Sequence, residues 1–251
     1  MIKYSFVLCV NKKCEYLGRA IESVLTQEYR DFEFIIVANN CDDELFSYLS
    51  FFKDERIRLF RTKIGQLSFN LNYAINLARG DYIVRMDADD ISLPNRLLII
   101  EKNIEQMQDF DVICFKANII DETDEFIRKS PNIGREIIID DFLRSNPVIH
   151  PSVVLKKDAL LKCRGYLGGF QSEDYELWLR MVLSHQFRIV HINETVINYR
   201  IHSQQSRGNM LPLCEVNGYF YRNFLISPSL KIFKAMLLNF SRYLKFILCK
   251  K

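Results

Sequence analysis

The sequence lacks the marks of several large protein classes. No stretch reaches about eighteen consecutive apolar residues, so no transmembrane helix is expected. The apolar run near the N-terminus is short and meets Asn11-Lys12-Lys13 with no small-residue cleavage site, which argues against a signal peptide. Cysteine never occurs as C-x-x-C. Its positions (9, 14, 41, 114, 163, 214 and 249) are odd in number and irregular, which suggests neither a zinc site nor a redox pair. Cys9 and Cys114 sit in apolar runs, where a free thiol behaves as a small hydrophobe, and a reducing compartment fits. There is no G-x-G-x-x-G and no P-loop, and Val7 to Lys13 contains no glycine. No Lys/Arg-rich block with interleaved aromatics occurs before the C-terminus and the net charge is only +3, so no nucleic-acid partner is expected.

What is present is a chain of 251 residues, 49% hydrophobic, enough for one large domain with an appendage and a core that needs no disulfides. Its first 120 residues alternate. Tyr4 to Val10, Phe32 to Ala38, Ile57 to Phe60, Tyr82 to Val84 and Asp111 to Ile120 are apolar runs of strand length. Between them, apolar residues recur at helical spacing: Leu17 to Leu25, Leu45 to Phe52, Leu67 to Ala78 and Leu97 to Met107. Arg79-Gly80 reads as the close of the third helix, and Pro94 suits the first turn of the fourth. Such alternation predicts an α/β domain with a mostly parallel central sheet flanked by helices, with ligands bound outside the carboxyl ends of the strands.

Two polar clusters fall at such ends: Asn39 to Asp43, and the three carboxylates Asp87, Asp89 and Asp90, with the Gly65 segment expected near them. Carboxylates crowded at one strand end repel unless a cation joins them, and hard divalent ions take carboxylates together with substrate phosphates. Read alone, the same residues are equally a solvated acidic turn.

The second half is less regular. Ile119 to Lys129 contains acids and a turn, residues 134–144 look helical, and His150 to Leu155 reads as a strand after an X-Pro break. A glycine-rich, mobile stretch at 165–170 precedes a helix that Ser172 is placed to cap. Residues 187–191 and 195–201 read as two short strands.

Several blocks, in order, resemble the family 2 glycosyltransferases, inverting enzymes with an A-type fold that binds nucleotide-diphospho-sugars. They are Tyr16-Leu17 through Ala20 to Gln27; Asp31 to Val37; Leu77 to Ile83 through Arg85-Met86-Asp87-Ala88-Asp89-Asp90 to Leu93-Pro94 and Arg96; Glu173-Asp174 through Trp178; and Tyr199 to His202. The resemblance covers roughly residues 4 to 207. It implies that Asp87 contacts the nucleotide side of the donor, that Asp89 binds a Mn²⁺ or Mg²⁺ bridging the diphosphate, and that Asp174 is the catalytic base. Glu173 and His150 fall on the acceptor side. Arg200 is a candidate phosphate clamp, since guanidinium grips such oxygens bidentately. His202 reads either as a metal or diphosphate contact or as a surface histidine; His185 and His191 read as structural, and Trp178 as core. The acid expected after the second strand falls at Ala38-Asn39, which leaves the amide of Asn39 or Asn40 to meet a uracil edge, with Asp42 or Asp43 as substitutes.

The implied reaction is transfer of one sugar from a UDP-sugar (UDP-glucose, UDP-galactose or a UDP-N-acetylhexosamine) to a lipid-linked oligosaccharide, in assembly of a bacterial surface polysaccharide such as O-antigen or capsule. A sugar nucleotidyltransferase, a glycosidase and a donor-binding protein with a dead site are the rivals. The expected division is a transferase domain over 1–210, nucleotide-binding over 1–120 and acceptor-binding over 121–210, then a helical tail over 211–251. That tail interleaves aromatics with lysine and arginine and has no acid after Glu215. It reads as an amphipathic helix on the inner face of the cell membrane, placing a cytoplasmic protein there peripherally, or as a helix that packs back on the domain.

Overall fold

A computed structural model describes residues 2–107, 109–143, 145–184, 186–203, 205 and 210–249, the last without its side chain. His185, Arg144 at the end of the expected 134–144 helix, and Lys250 and Lys251 of the tail lie outside the described residues.

The strands and helices of the first half fall where the alternation places them. They are β1 (Tyr4–Val10), α1 (Leu17–Leu25), β2 (Phe32–Asn39), α2 (Asp43–Ser50), β3 (Ile57–Thr62), α3 (Leu67–Leu77), β4 (Tyr82–Arg85), β5 (Ile91–Ser92), α4 (Arg96–Gln106) and β6 (Val112–Ile120). β7 (Phe126–Lys129), α5 (Ile139–Phe142), β8 (Val154–Lys156), α6 (Lys157–Lys162), α7 (Glu173–Ser184), β9 (Ile189–Arg200), α8 (Met210–Ile226) and α9 (Leu230–Cys249) follow.

One sheet runs in the order β3-β2-β1-β4-β8-β6-β9-β5, with β7 paired to β6. The quartet β3-β2-β1-β4 is parallel, because each strand is returned by a helix. Beyond residue 120 the helical crossovers stop and the pairing changes. β8 is antiparallel to β4 and β6, β7 to β6, and β5 to β9, while β6 and β9 remain parallel. The sheet is therefore mixed, parallel in the half that holds the alternating pattern.

β1 and β2 are buried along their whole length, as strands covered on both faces must be. Val7, Cys9, Ile35 and Val37 face a layer holding Leu71 of α3 and Trp178 of α7. Phe6, Leu8, Phe34 and Ile36 face the other layer, with Leu17, Leu45 and Leu97 of α1, α2 and α4. The six cysteines with described side chains are all free.

Three local readings are corrected. Among the described residues of 134–144, only the four-residue α5 is helical. The two short strands read at 187–201 are one strand, β9, whose register against β6 slips between Ile192 and Thr195. Polar Asn193-Glu194 lies at that irregularity and gives the sequence its false break. Gly80 does not cap α3, which ends at Leu77 with Ala78 already extended. A Cβ at Gly80 would sit 2.8 Å from the carbonyl carbon of Tyr4, so glycine here lets the chain enter β4 hard against β1.

The tail forms two helices that share the main core. Val216 and Phe220 of α8 and Ile232 and Ala235 of α9 are buried in the same layer as Trp178. α9 also keeps an outward face, where Phe233, Leu237, Phe240, Leu244 and Leu248 are exposed. No described helix is long and apolar enough to cross a membrane.

The Phe220 ring is fully buried and meets Tyr175 of α7 edge-on at 6.1 Å. Phe220→Ala is expected to lower stability by about 3–5 kcal/mol in denaturant titration. A loss within experimental error would mean that α8 does not pack on the domain.

Candidate active site

The site is built at the end of β4. Its last residue, Arg85, is Cα-paired with Val7 of β1, and the chain then turns through Asp87, Asp89 and Asp90 before β5 pairs with β9. Each acid offers a carboxylate oxygen within 4.8 Å of the others. Asp90 is completely buried; one oxygen accepts the Arg200 amide at 2.9 Å and the other has no partner. Burial and the two neighbouring carboxylates push its pKa well up, and burial does the same to Asp87.

Buried cations hold this turn together. Arg85 pairs with Asp87 and also donates to the Met86 carbonyl. Arg200 is fully buried, with its guanidinium stacked 4.1 Å from the centre of the Tyr16 ring. It donates to the Asp89 carbonyl at 2.8 Å and the Asp121 carbonyl at 2.9 Å, and pairs with Asp124 at 2.5 Å. This geometry gives Arg200 the task of locking the acidic turn to the β6–β7 hairpin; it does not line the cavity. Arg96 donates to the carbonyls of Arg85 and Pro151, 2.9 Å each, which braces β4 against the turn at 150–152. His202 Nε2 lies 2.9 Å from Asp89 Oδ2, and Gln205 donates to the same oxygen at 3.3 Å.

Across the cavity stand Glu173 and Asp174, the first residues of α7. Asp174 accepts from the Tyr175 amide and from Asn146 Nδ2, both at 2.7 Å. Burial raises its pKa to about 6 against those two hydrogen bonds. Burial and the Asp174 charge raise Glu173 to about 8. The two carboxyls titrate as a pair, and their raised values leave the pair short of two full charges near neutral pH. His150 is buried, 2.8 Å from the Tyr166 hydroxyl and edge-on to Trp178. Burial and then Arg85 push its pKa well down, so it is neutral. Trp178 is core, as read from the sequence.

A cavity of about 610 Å³ joins these groups, lined among others by Asp87, Asp89, Glu173, Asp174, His150 and His202. Asn39 and Asn40 do not line it. Asn39 is buried at the end of β2, and Asn40, in the left-handed region at φ 46°, lines another cavity of about 560 Å³ with Arg61 and Lys63. Gly65 packs on Asn40, as its expected position requires. Asp42 caps α2 through the Leu45 amide and Asp43 pairs with Arg61, so both substitute acids are occupied.

A chain with strand-end carboxylates on one side of a cavity and a helix-N-terminal carboxylate on the other fits the A-type arrangement. The sequence model of the family described as Glycosyl transferase family 2 matches residues 5–164, well over half of the chain. The chain belongs to this family. The O-antigen biosynthesis glycosyltransferase WbnJ of Escherichia coli is 38% identical over 248 residues, covering 96% of each chain. A more distant Escherichia coli relative, UDP-Gal:alpha-D-GlcNAc-diphosphoundecaprenol beta-1,3-galactosyltransferase, is 24% identical over 260 residues, 94% of this chain and 92% of that one. Among solved structures, S. aureus TarS 1-349 in complex with UDP-GlcNAc superposes with a TM-score of 0.69 over 98% of this chain and 81% of its own, at 11% identity. The fold is thus that of an A-type glycosyltransferase, and family membership sets aside the nucleotidyltransferase and glycosidase rivals.

For this glycosyltransferase the sequence missed Arg85 and Asn146. An arginine inside an apolar strand run is a legible signal for the first. Asn146 lies in irregular chain before Pro147 and has none.

The donor set fits a hard divalent cation. Four carboxylates line the cavity, a diphosphate would add like charge, and the orphan oxygen of Asp90 stands beside them. Glu173 provides an independent check on the electrostatics. Its unfolded pKa is about 4.3 and its folded value is raised, so its contribution favours folding most below the unfolded value and fades as pH climbs toward about 8. Glu173→Gln removes this loss. The melting temperature of the variant relative to wild type is expected to rise steadily between pH 5 and pH 8. A difference that is flat with pH would contradict the raised pKa of buried Glu173.

Proposed function

We propose that this enzyme transfers one sugar from a UDP-sugar to the hydroxyl of a lipid-linked saccharide, with inversion, during O-antigen assembly. The observation that carries the reading is the placement of Asp174 on the same cavity as Asp87 and Asp89. A uridine diphosphate donor is supported by the nucleotide sugar in the TarS complex, and the lipid-linked acceptor and O-antigen setting by the names of the two Escherichia coli relatives.

Asp174 takes the proton of the acceptor hydroxyl as its oxygen attacks the anomeric carbon. The bond from that carbon to the diphosphate oxygen breaks, and its electron pair leaves with the UDP. One displacement from the face opposite the leaving group inverts the centre. Asn146 and the Tyr175 amide fix the aim of the Asp174 carboxylate. Glu173 and neutral His150 can exchange hydrogen bonds with acceptor hydroxyls. Asp89 and Asp90, with Asp87 toward the nucleotide, would hold a Mn²⁺ or Mg²⁺. His202 orients Asp89 or joins as a further ligand. Bound there, the cation acts as a Lewis acid for the departing diphosphate. Asn40, which lines a second cavity with Arg61 and Lys63, would contact the nucleotide.

The protein is taken to work on the cytoplasmic face of the membrane through the outward face of α9, where the apolar stripe is flanked by Lys234 and Lys245.

Incubation with UDP-glucose, UDP-galactose or UDP-GlcNAc and a polyprenyl-diphosphate saccharide should release UDP only when Mn²⁺ or Mg²⁺ is present. Asp174→Asn is expected to lower transfer by about 10²–10⁴-fold, and the wild-type rate to fall as pH drops through about 6, where Asp174 takes up a proton. Asp89→Ala should abolish the metal requirement together with turnover. Donor binding with neither transfer nor hydrolysis under any of these conditions would leave a donor-binding protein instead. Separately, Phe240→Glu with Leu244→Glu should move the folded protein from the membrane to the soluble fraction; unchanged fractionation would remove the membrane role of α9.

A further inference from the structure

The acceptor-side carboxylates are held in place from the tail. The segment leading into α7 runs through Gly169, Phe170, Gln171 and Ser172. The Glu215 carboxylate on α8 accepts the Phe170 amide at 2.6 Å, the Gln171 amide at 3.2 Å and the Ser172 hydroxyl. One turn on, the Tyr219 hydroxyl lies 3.3 Å from the same serine oxygen. A further turn on, Arg222 pairs with Glu176 of α7 at 3.1 Å. Glu215, Tyr219 and Arg222 are spaced four and three apart, so they form one stripe along α8.

The loop is closely packed on both sides. Gly169 is in the left-handed region at φ +84°. A Cβ there would lie 2.7 Å from the Glu173 amide nitrogen and 2.7 Å from the Tyr219 hydroxyl. From the other side, Ser68 of α3 donates to the Gly168 carbonyl at 3.3 Å. Ser172, whose hydroxyl is turned to Glu215, is thus part of this latch and not a cap of its own helix. A carboxylate receiving three donors next to a helix N-terminus makes strong, directional bonds, because its charge assists each of them and matches the helix dipole.

We infer that the Glu215–Tyr219–Arg222 stripe is a positioning element for the transfer step: it sets the segment 169–172 and through it the aim of Asp174. The inference rests on the reading of Asp174 as the base. Glu215 itself lines neither the acid cavity nor the Asn40 cavity, and of its three partners only Gln171 lines the former, so its loss should leave donor binding intact.

The test uses the full chain with UDP-sugar, Mn²⁺ and the saccharide acceptor. Glu215→Gln keeps the volume but leaves one acceptor oxygen and turns an NH₂ either toward the Phe170 amide or toward the Gln171 amide and the Ser172 hydroxyl. Its transfer kcat is expected to fall about tenfold or more, the scale that small misplacements of a catalytic group produce. Donor KM and UDP affinity by calorimetry should stay within about twofold of wild type on the same argument. Ser172→Ala removes one donor of three and should fall between, with an unchanged melting temperature; it carries the test if Glu215→Gln fails to fold. A folded Glu215→Gln or Ser172→Ala enzyme with wild-type kcat overturns the inference, as does a parallel loss of donor affinity, which would mark a general structural role. Asp174→Asn separates the two layers. If it retains full transfer, the base reading itself fails. If it is inactive while Glu215→Gln is fully active, only the positioning role fails.

Discussion

Mutual repulsion among carboxylates is the constraint around which this site is arranged. Asp87, Asp89 and Asp90 crowd at one strand end, and Glu173 and Asp174 approach from the other side of the same cavity. Water is largely excluded from Asp90 and Glu173, so their charges cannot be dispersed by solvent. The chain answers in three ways. Arg85 neutralises Asp87 from within the strand. Burial and the Asp174 charge raise the pKa of Glu173, so the pair carries less than its full charge. Arg200 and Arg96, both buried, hold the backbone around the acids and so fix their positions. What remains is a concentration of negative potential that fits a hard divalent cation.

That constraint explains why so much of the molecule serves the turn. β1 admits β4 only because Gly80 lacks a side chain. β5 is two residues long, yet its pairing with β9 closes the acidic turn and brings Arg200 and His202 to it. The β6–β7 hairpin offers the Asp121 carbonyl and Asp124 to Arg200. On the acceptor side, α7 brings Glu173 and Asp174 to the cavity with the helix dipole behind them, and α3 and α8 hold the segment before it. The two halves of the site come from chain segments more than eighty residues apart, the turn after β4 and the start of α7.

The tail changes meaning in three dimensions. As sequence it is a basic, aromatic-rich segment with either a membrane or a packing role. As structure it has both a buried face, with Phe220 and Ala235 in the main core, and an exposed apolar face on α9. Its single acid, Glu215, binds the segment that leads into α7.

The sequence by itself determined the parallel half of the sheet, since period-2 and period-3.6 patterns alternate clearly through residue 120 and each strand end is punctuated by polar residues. It also determined the acids at the end of β4 and at the start of α7, because strand ends and helix starts are local features that residue type reveals. Tertiary structure decided the rest. The antiparallel strands β7, β8 and β5 depend on pairings that no local period encodes. The continuity of β9 across Asn193-Glu194 depends on its partner β6. Whether Arg200 faces a ligand or the protein interior, and whether Asn39 reaches the acid cavity, are set by packing between elements distant in sequence. Asn146 and Glu215 acquire their roles only when the fold brings them to Asp174 and its loop, because a hydrogen bond across the chain leaves no periodic trace in either partner.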